Sequence, residues 1–128
     1  MLRVLLLLGP FLLVAVSPDS PLPPCPSSPN CVRTARTVDA TPDTAFAAAQ
    51  RALDALGPAV LETTPTSHRA HAVYRVALVF KDDVDLVVAP ADAGSTVHVR
   101  SASRTGYSDL GVNRRRVDRF FQTLEQEL

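Results

Sequence analysis

Three runs between Ala70 and Val99 carry apolar residues at every second position. They are Ala70, Ala72, Tyr74, Val76, Leu78 and Phe80; then Val84, Leu86 and Val88; then Val97 and Val99. A two-residue period places the apolar set on one sheet face and the intervening residues on the other. Lys81-Asp82-Asp83 and Pro90-Ala91-Asp92-Ala93-Gly94 separate the runs and read as turns. Connections this short make the strands antiparallel neighbours.

Such a sheet needs a cover on its apolar face, and two segments with helical period supply it. Thr41-Pro42-Asp43 combines a hydroxyl N-cap, a proline at the first helical position and an acid in the first turn. Phe46, Ala49, Leu53 and Leu56 then recur at helical spacing until Gly57-Pro58 ends the helix. A second helix is expected over residues 110–127, capped by Ser108 or Asp109. Its stripe is Val117, Phe120, Phe121, Leu124 and Leu128. Residues 59–64, 67–80 and 96–103 complete the strands. The expected fold is a two-layer α+β domain over residues 31–128. It has an antiparallel four-stranded meander with an N-terminal and a C-terminal helix on one face, in the order α-β-β-β-β-α.

Residues 1–17 read as export machinery. A basic start, Met1-Leu2-Arg3, precedes the apolar run Val4–Val16, and Ala15-Val16-Ser17 has the small-x-small cleavage pattern. Thirteen helical residues reach about 20 Å, short of a ~30 Å hydrocarbon core. The segment is a signal peptide or a short N-terminal anchor. The expected location is the cell envelope, periplasmic or held at the membrane by that anchor. Residues 18–30 contain six prolines and form a spacer with a cysteine loop. Cys25 and Cys31 are the only cysteines. An exported chain with one close pair points to a disulfide. A metal or redox role is the weaker reading, because Cys-x5-Cys is not the Cys-x2-Cys spacing of such sites.

Thirteen basic and thirteen acidic residues give zero formal net charge, which excludes the basic footprint of a nucleic-acid binder. His68 and His71 lie three apart on an expected strand, so they point to opposite faces and no metal site is expected. No cofactor motif is legible. Asp85 is expected opposite His98 or Arg100 on the outward sheet face. That is a cross-strand charge pair, with an acid–base pair as the functional alternative.

The candidate site is the polar stretch from the last strand into the last helix. It holds Arg100, Ser101, Ser103, Arg104, Tyr107, Ser108, Asp109, Asn113 and Arg114. Free N–H groups at a helix start attract anions, and Arg100 and Arg104 are spaced to share one face. Asp109 competes, since as N-cap it occupies those N–H groups itself. Asn113 falls on the apolar stripe and either ties the helix to a loop or faces a ligand. Arg114-Arg115-Arg116 is a solvated face or a contact for an anionic partner. Three functions fit. One is an exported binding or accessory module for a small anionic ligand or an envelope protein. Another is a small hydrolase-like enzyme using Ser101, Ser103 or Asp109 with the arginines. The third is a structural element of a larger assembly. The enzyme reading lacks a base beside a nucleophile. Membrane proximity enters through the N-terminal segment.

Three stretches together resemble the family named domain of unknown function 1499. They are Cys25-Pro26-Ser27-Ser28-Pro29-Asn30-Cys31-Val32, Asp82-Asp83-Val84, and Val99 to Arg114 with its Gly106-Tyr107-Ser108-Asp109-Leu110-Gly111 core. The resemblance runs from Cys25 to the C-terminus. It implies a bacterial, often exported or membrane-linked domain with no agreed activity. This chain has Arg33-Thr34 where the family has two serines.

Overall fold

A computed structural model of the chain describes residues 20–128. The apolar segment and the export reading built on it lie outside the described residues. The elements are β1 (Cys31–Val38), α1 (Pro42–Ala55), β2 (Val60–Thr64), β3 (Arg69–Val76), β4 (Phe80–Ala91), β5 (Gly94–Ser103) and α2 (Val112–Glu127). All five strands join one antiparallel sheet in the order β1-β5-β4-β3-β2. Strands β2 to β5 form the expected meander, and both helices pack on one face of the sheet.

The four-strand expectation is corrected to five. Strand β1 adds to the free edge of β5, pairing Val32 with Ser101 and Thr34 with Val99. Its own pattern is weak, because its helix-facing positions include Thr34 and Arg36. Arg36 covers that face as a long side chain can, with its guanidinium 4.3 Å from the Phe121 ring centroid and 3.7 Å from Glu125. The edge strand is held by ladder hydrogen bonds rather than by apolar alternation.

The second correction concerns the β3–β4 connection. The turn is Ala77-Leu78-Val79, with Val76 paired to Phe80 across it. Lys81-Asp82-Asp83 is therefore strand, and Asp82 falls in the inward register with Val84 and Leu86. The apolar alternation through Leu78 concealed the turn, and the charge run imitated one.

Helix α1 behaves as its sequence requires. The Thr41 side chain accepts from the Thr44 N–H, and Ala45, Ala48, Ala49 and Ala52 are fully buried. These small side chains let the helix lie close to the sheet. The core closes around Leu53, Leu86, Val99, Val117, Phe120 and Phe121. Tyr74 reaches from β3 to donate to the Leu53 carbonyl at 2.7 Å, and burial pushes its phenol up to about 12. Leu128, placed on the stripe by its spacing, is half exposed at the chain end.

Candidate functional site

Helix α2 starts from a polar knot. Asp109 Oδ1 accepts from the Gly111 N–H at 2.8 Å, and Oδ2 accepts from the Asn113 N–H at 2.9 Å. The carboxylate thus fills the helix-start donors, as a capping residue does. Burial pushes its carboxyl up, but the hydrogen bonds from Asn113 and Gly111 outweigh this and hold it below the usual carboxylate range. These contacts occupy the Gly111 and Asn113 N–H groups that an anion at this helix start would otherwise take.

Asn113 is fully buried and organises four elements. Its Oδ1 accepts from Ser101 Oγ at 2.6 Å and from Arg116 Nη1 at 2.9 Å. Its Nδ2 donates to Asp109 Oδ2 at 2.6 Å, Ser103 Oγ at 3.0 Å and the Asn30 carbonyl at 3.2 Å. The cysteine loop joins the knot here. Asn30 Nδ2 donates to the Gly106 carbonyl at 2.7 Å, and Cys25 is disulfide-bonded to Cys31. Asn113 therefore ties the helix to both the loop and the last strand.

Two residues that the sequence reading missed complete the knot. Arg116 lies 2.8 Å from Asp82 Oδ2 and 4.9 Å above the Tyr74 ring centroid. The ion contact is too poorly aligned to be a hydrogen bond, so Asp82 Oδ2 keeps an open acceptor. The only sequence signal was an acid in phase with Val84 and Leu86, and an arginine three after Asn113 on the same helix.

The other expected residues scatter. Arg104 makes a bidentate pair with Asp83, 2.9 Å on each arm, and this pair holds the Asp83 carboxyl below the usual range. Arg100 lies on the outward sheet face, between Arg33 and Asp85 in register, and acts on the Asp83 carboxyl together with Arg104, so both arginines serve the same outward acidic cluster. Tyr107, Ser108 and Arg114 are exposed. Ser103 lies opposite Asp82 in the β4–β5 ladder and accepts from Asn113 Nδ2. Ser101 gives its proton to Asn113, and the hydroxyl is fully buried.

Beside the knot opens a pocket of about 390 Å³. Val76, Phe80, Leu110 and Val112 form its apolar walls, Asp82 and Asp109 line its polar side, and Arg115 stands among its lining residues. The outward sheet face carries a second cluster. Asp85, opposite Arg100 in register, bonds instead to His71 Nδ1 at 2.8 Å, and His71 Nε2 lies 3.3 Å from Asp83. Pro21, Leu22 and Pro23 lie over this region and enclose about 340 Å³ against Glu62, His71 and Asp85. His68 turns away to Asp43 at 2.7 Å. Among the described residues no three His, Cys, Asp or Glu side chains are placed to hold a metal.

Residues 21–124 match the family described as "Protein of unknown function (DUF1499)". The chain belongs to the DUF1499 family. No curated protein matches this DUF1499 chain. Among solved structures it is similar to protein MLL2253 from Mesorhizobium loti, at 14% identity and TM-score 0.58, covering 76% of this chain and 95% of that one. It is also similar to protein CV1439 from Chromobacterium violaceum, at 13% identity and TM-score 0.56, covering 75% and 95%. Ara h 8.0201 matches at 12% identity and TM-score 0.54, again covering 75% and 95%. At these identities the likeness shows the fold of the DUF1499 domain alone.

Proposed function

We propose that this DUF1499 domain is an exported binding module whose site is the pocket between the β3–β4 turn and the β5–α2 loop. The carrying observation is the pocket itself, with apolar walls set on the polar knot of Asp109, Asn113 and Ser101 and an open acceptor at Asp82 Oδ2. Pockets of this size and mixed lining suit small ligands. The ligand is amphipathic. Its apolar body lies against Phe80, Leu110 and Val112, and an anionic group meets Arg115. The disulfide supports an oxidising compartment. Ser101 is a poor nucleophile in this arrangement, being fully buried with its proton given to Asn113.

Decanoate and decanol, tested by thermal melts and calorimetry below their aggregation concentrations, separate the contributions. Decanoate raises the melting temperature more than decanol does, and Phe80→Ser removes the effect. No stabilisation by either, or stabilisation unchanged in the variant, refutes the pocket. For export, cell fractionation should place the protein in the envelope with no free thiol before reduction; a cytosolic, two-thiol protein refutes it.

A further inference from the structure

The two turns at the Asn30 end of the sheet are made of residues that turns usually avoid. The β3–β4 turn is Ala77-Leu78-Val79 with Ala77 at φ 53°, and the β5–α2 loop holds Leu110 at φ 54°. Left-handed backbone favours Gly or Asn. Leu78 is 98% exposed, Leu110 86% and Val79 78%. Phe80 and Leu110 line one pocket, so the two turns stand side by side. Apolar exposure concentrated in this way marks an interaction surface.

Its surroundings identify the partner. Arg75, Lys81, Arg114, Arg115 and Arg119 are exposed at this end, and none has a carboxylate within ion-pair distance among the described residues. Arg75 and Lys81 even face each other across β3 and β4, a like-charge pairing that costs stability in isolation. Asp82 and Asp83 are already matched by Arg116 and Arg104. Asp54, in the last turn of α1, and Asp118, between Arg115 and Arg119 on α2, are exposed acids, and Asp109 lies at the α2 start, so the balance at this end stays positive by a smaller margin. At the other end of the strands Asp39, Asp43 and Asp92 are exposed, outnumbering the exposed Arg69 there. Zero net charge thus conceals a dipole along the sheet.

We propose that the Leu78–Val79 turn and the Leu110 loop dock the domain on an anionic lipid bilayer. The apolar tips enter the acyl boundary, with Tyr107 at headgroup level, and the ring of arginines and Lys81 meets the phosphates. Protruding tips sink into a fluid surface without needing a complementary groove. The acidic end faces away, which fixes the orientation. Leu78 and Val79 do not line the pocket, so ligand uptake and docking can fail separately.

The chain has no tryptophan, so one can be introduced as a reporter. V79W and A93W, each in the full chain, are mixed with phosphatidylglycerol-containing vesicles carrying brominated acyl chains. Both proteins share the N-terminal segment, so its own affinity produces no difference between them. V79W fluorescence shifts to the blue and is quenched, while A93W is unchanged. L78W serves as a second reporter if V79W does not fold. K81Q weakens partitioning about fivefold, the effect of about 1 kcal/mol per cation. Docking is overturned if the turn reporter stays unquenched. Equal quenching at positions 79 and 93, or equal binding to pure phosphatidylcholine, overturns it too. A protein partner in place of a bilayer leaves both reporters unquenched.

Discussion

The Ser101 hydroxyl donates to Asn113 Oδ1 across 2.6 Å, with both side chains fully buried. This bond joins the last strand to the first turn of α2. Asn113→Leu fits the apolar stripe yet leaves the Ser101 hydroxyl proton without its acceptor and strips a donor from Asp109. Unfolding by urea should show a loss of about 3 kcal/mol, since each buried unpaired group costs about 1–3 kcal/mol. Unchanged stability would mean that water replaces the side chain.

Asp82 and Arg116 form the buried charge pair under the pocket, at 2.8 Å. Arg116→Met leaves a carboxylate buried without its cation and should cost about 3–5 kcal/mol. Adding Asp82→Leu removes the stranded charge, so the double variant should be more stable than Arg116→Met alone. Simple additivity in the double-mutant cycle would show that the two charges do not act as a pair.

Gly94 closes the β4–β5 hairpin at φ 142°, against the crossing from β1 to α1. A Cβ there runs into the Val38 carbonyl and the Ala40 amide, which are backbone and cannot turn aside. Gly94→Ala should therefore destabilise by about 1–3 kcal/mol. Gly57→Ala meets no atom within 4 Å and carries only the backbone strain of φ 74°. Thermal melts should rank Gly94→Ala below Gly57→Ala; the reverse order would refute the steric account.

Acid should weaken the fold in two stages. Burial pushes the His98 imidazole below its ordinary value of 6.5, so the unfolded chain takes up this proton first. Stability is unaffected above that value and declines as pH falls from about 6.5 toward the lower folded value. Asp83 and Asp109 are held below 3.8, Asp83 by its Arg104 hydrogen bonds and Asp109 by the α2 amides over its own burial. Their contribution is present above 3.8 and is lost as pH falls through their folded values. His98→Leu should flatten the first stage of a urea-midpoint profile and leave the second. A first stage that persists in the variant would assign it to another group.

Periodicity specified the α1 and α2 stripes and the meander from β2 to β5, though not its first turn, and cap chemistry specified Thr41. These depend on contacts between near neighbours in the chain, which spacing records. Residue chemistry also narrowed Asn113 to a tie or a ligand contact and the α2 start to Ser108 or Asp109, because a carboxamide on an apolar stripe and an acid before a helix each have few uses. The structure makes Asn113 the tie and puts the Asp109 carboxylate on the helix-start amides, with Gly111 at the N-cap position. Only the tertiary structure decided the rest. Strand β1 exists because β5 offers an unpaired edge, not because Cys31–Val38 alternates. Asp82 is buried because Arg116, far along the chain, reaches it. Arg100 and Arg104 meet at one outward acidic cluster because the ladder sets Arg100 opposite Asp85 while the chain beyond β5 turns Arg104 to Asp83, two residues away on β4. Pairing between distant side chains is set by register and packing, and neither is written in local spacing.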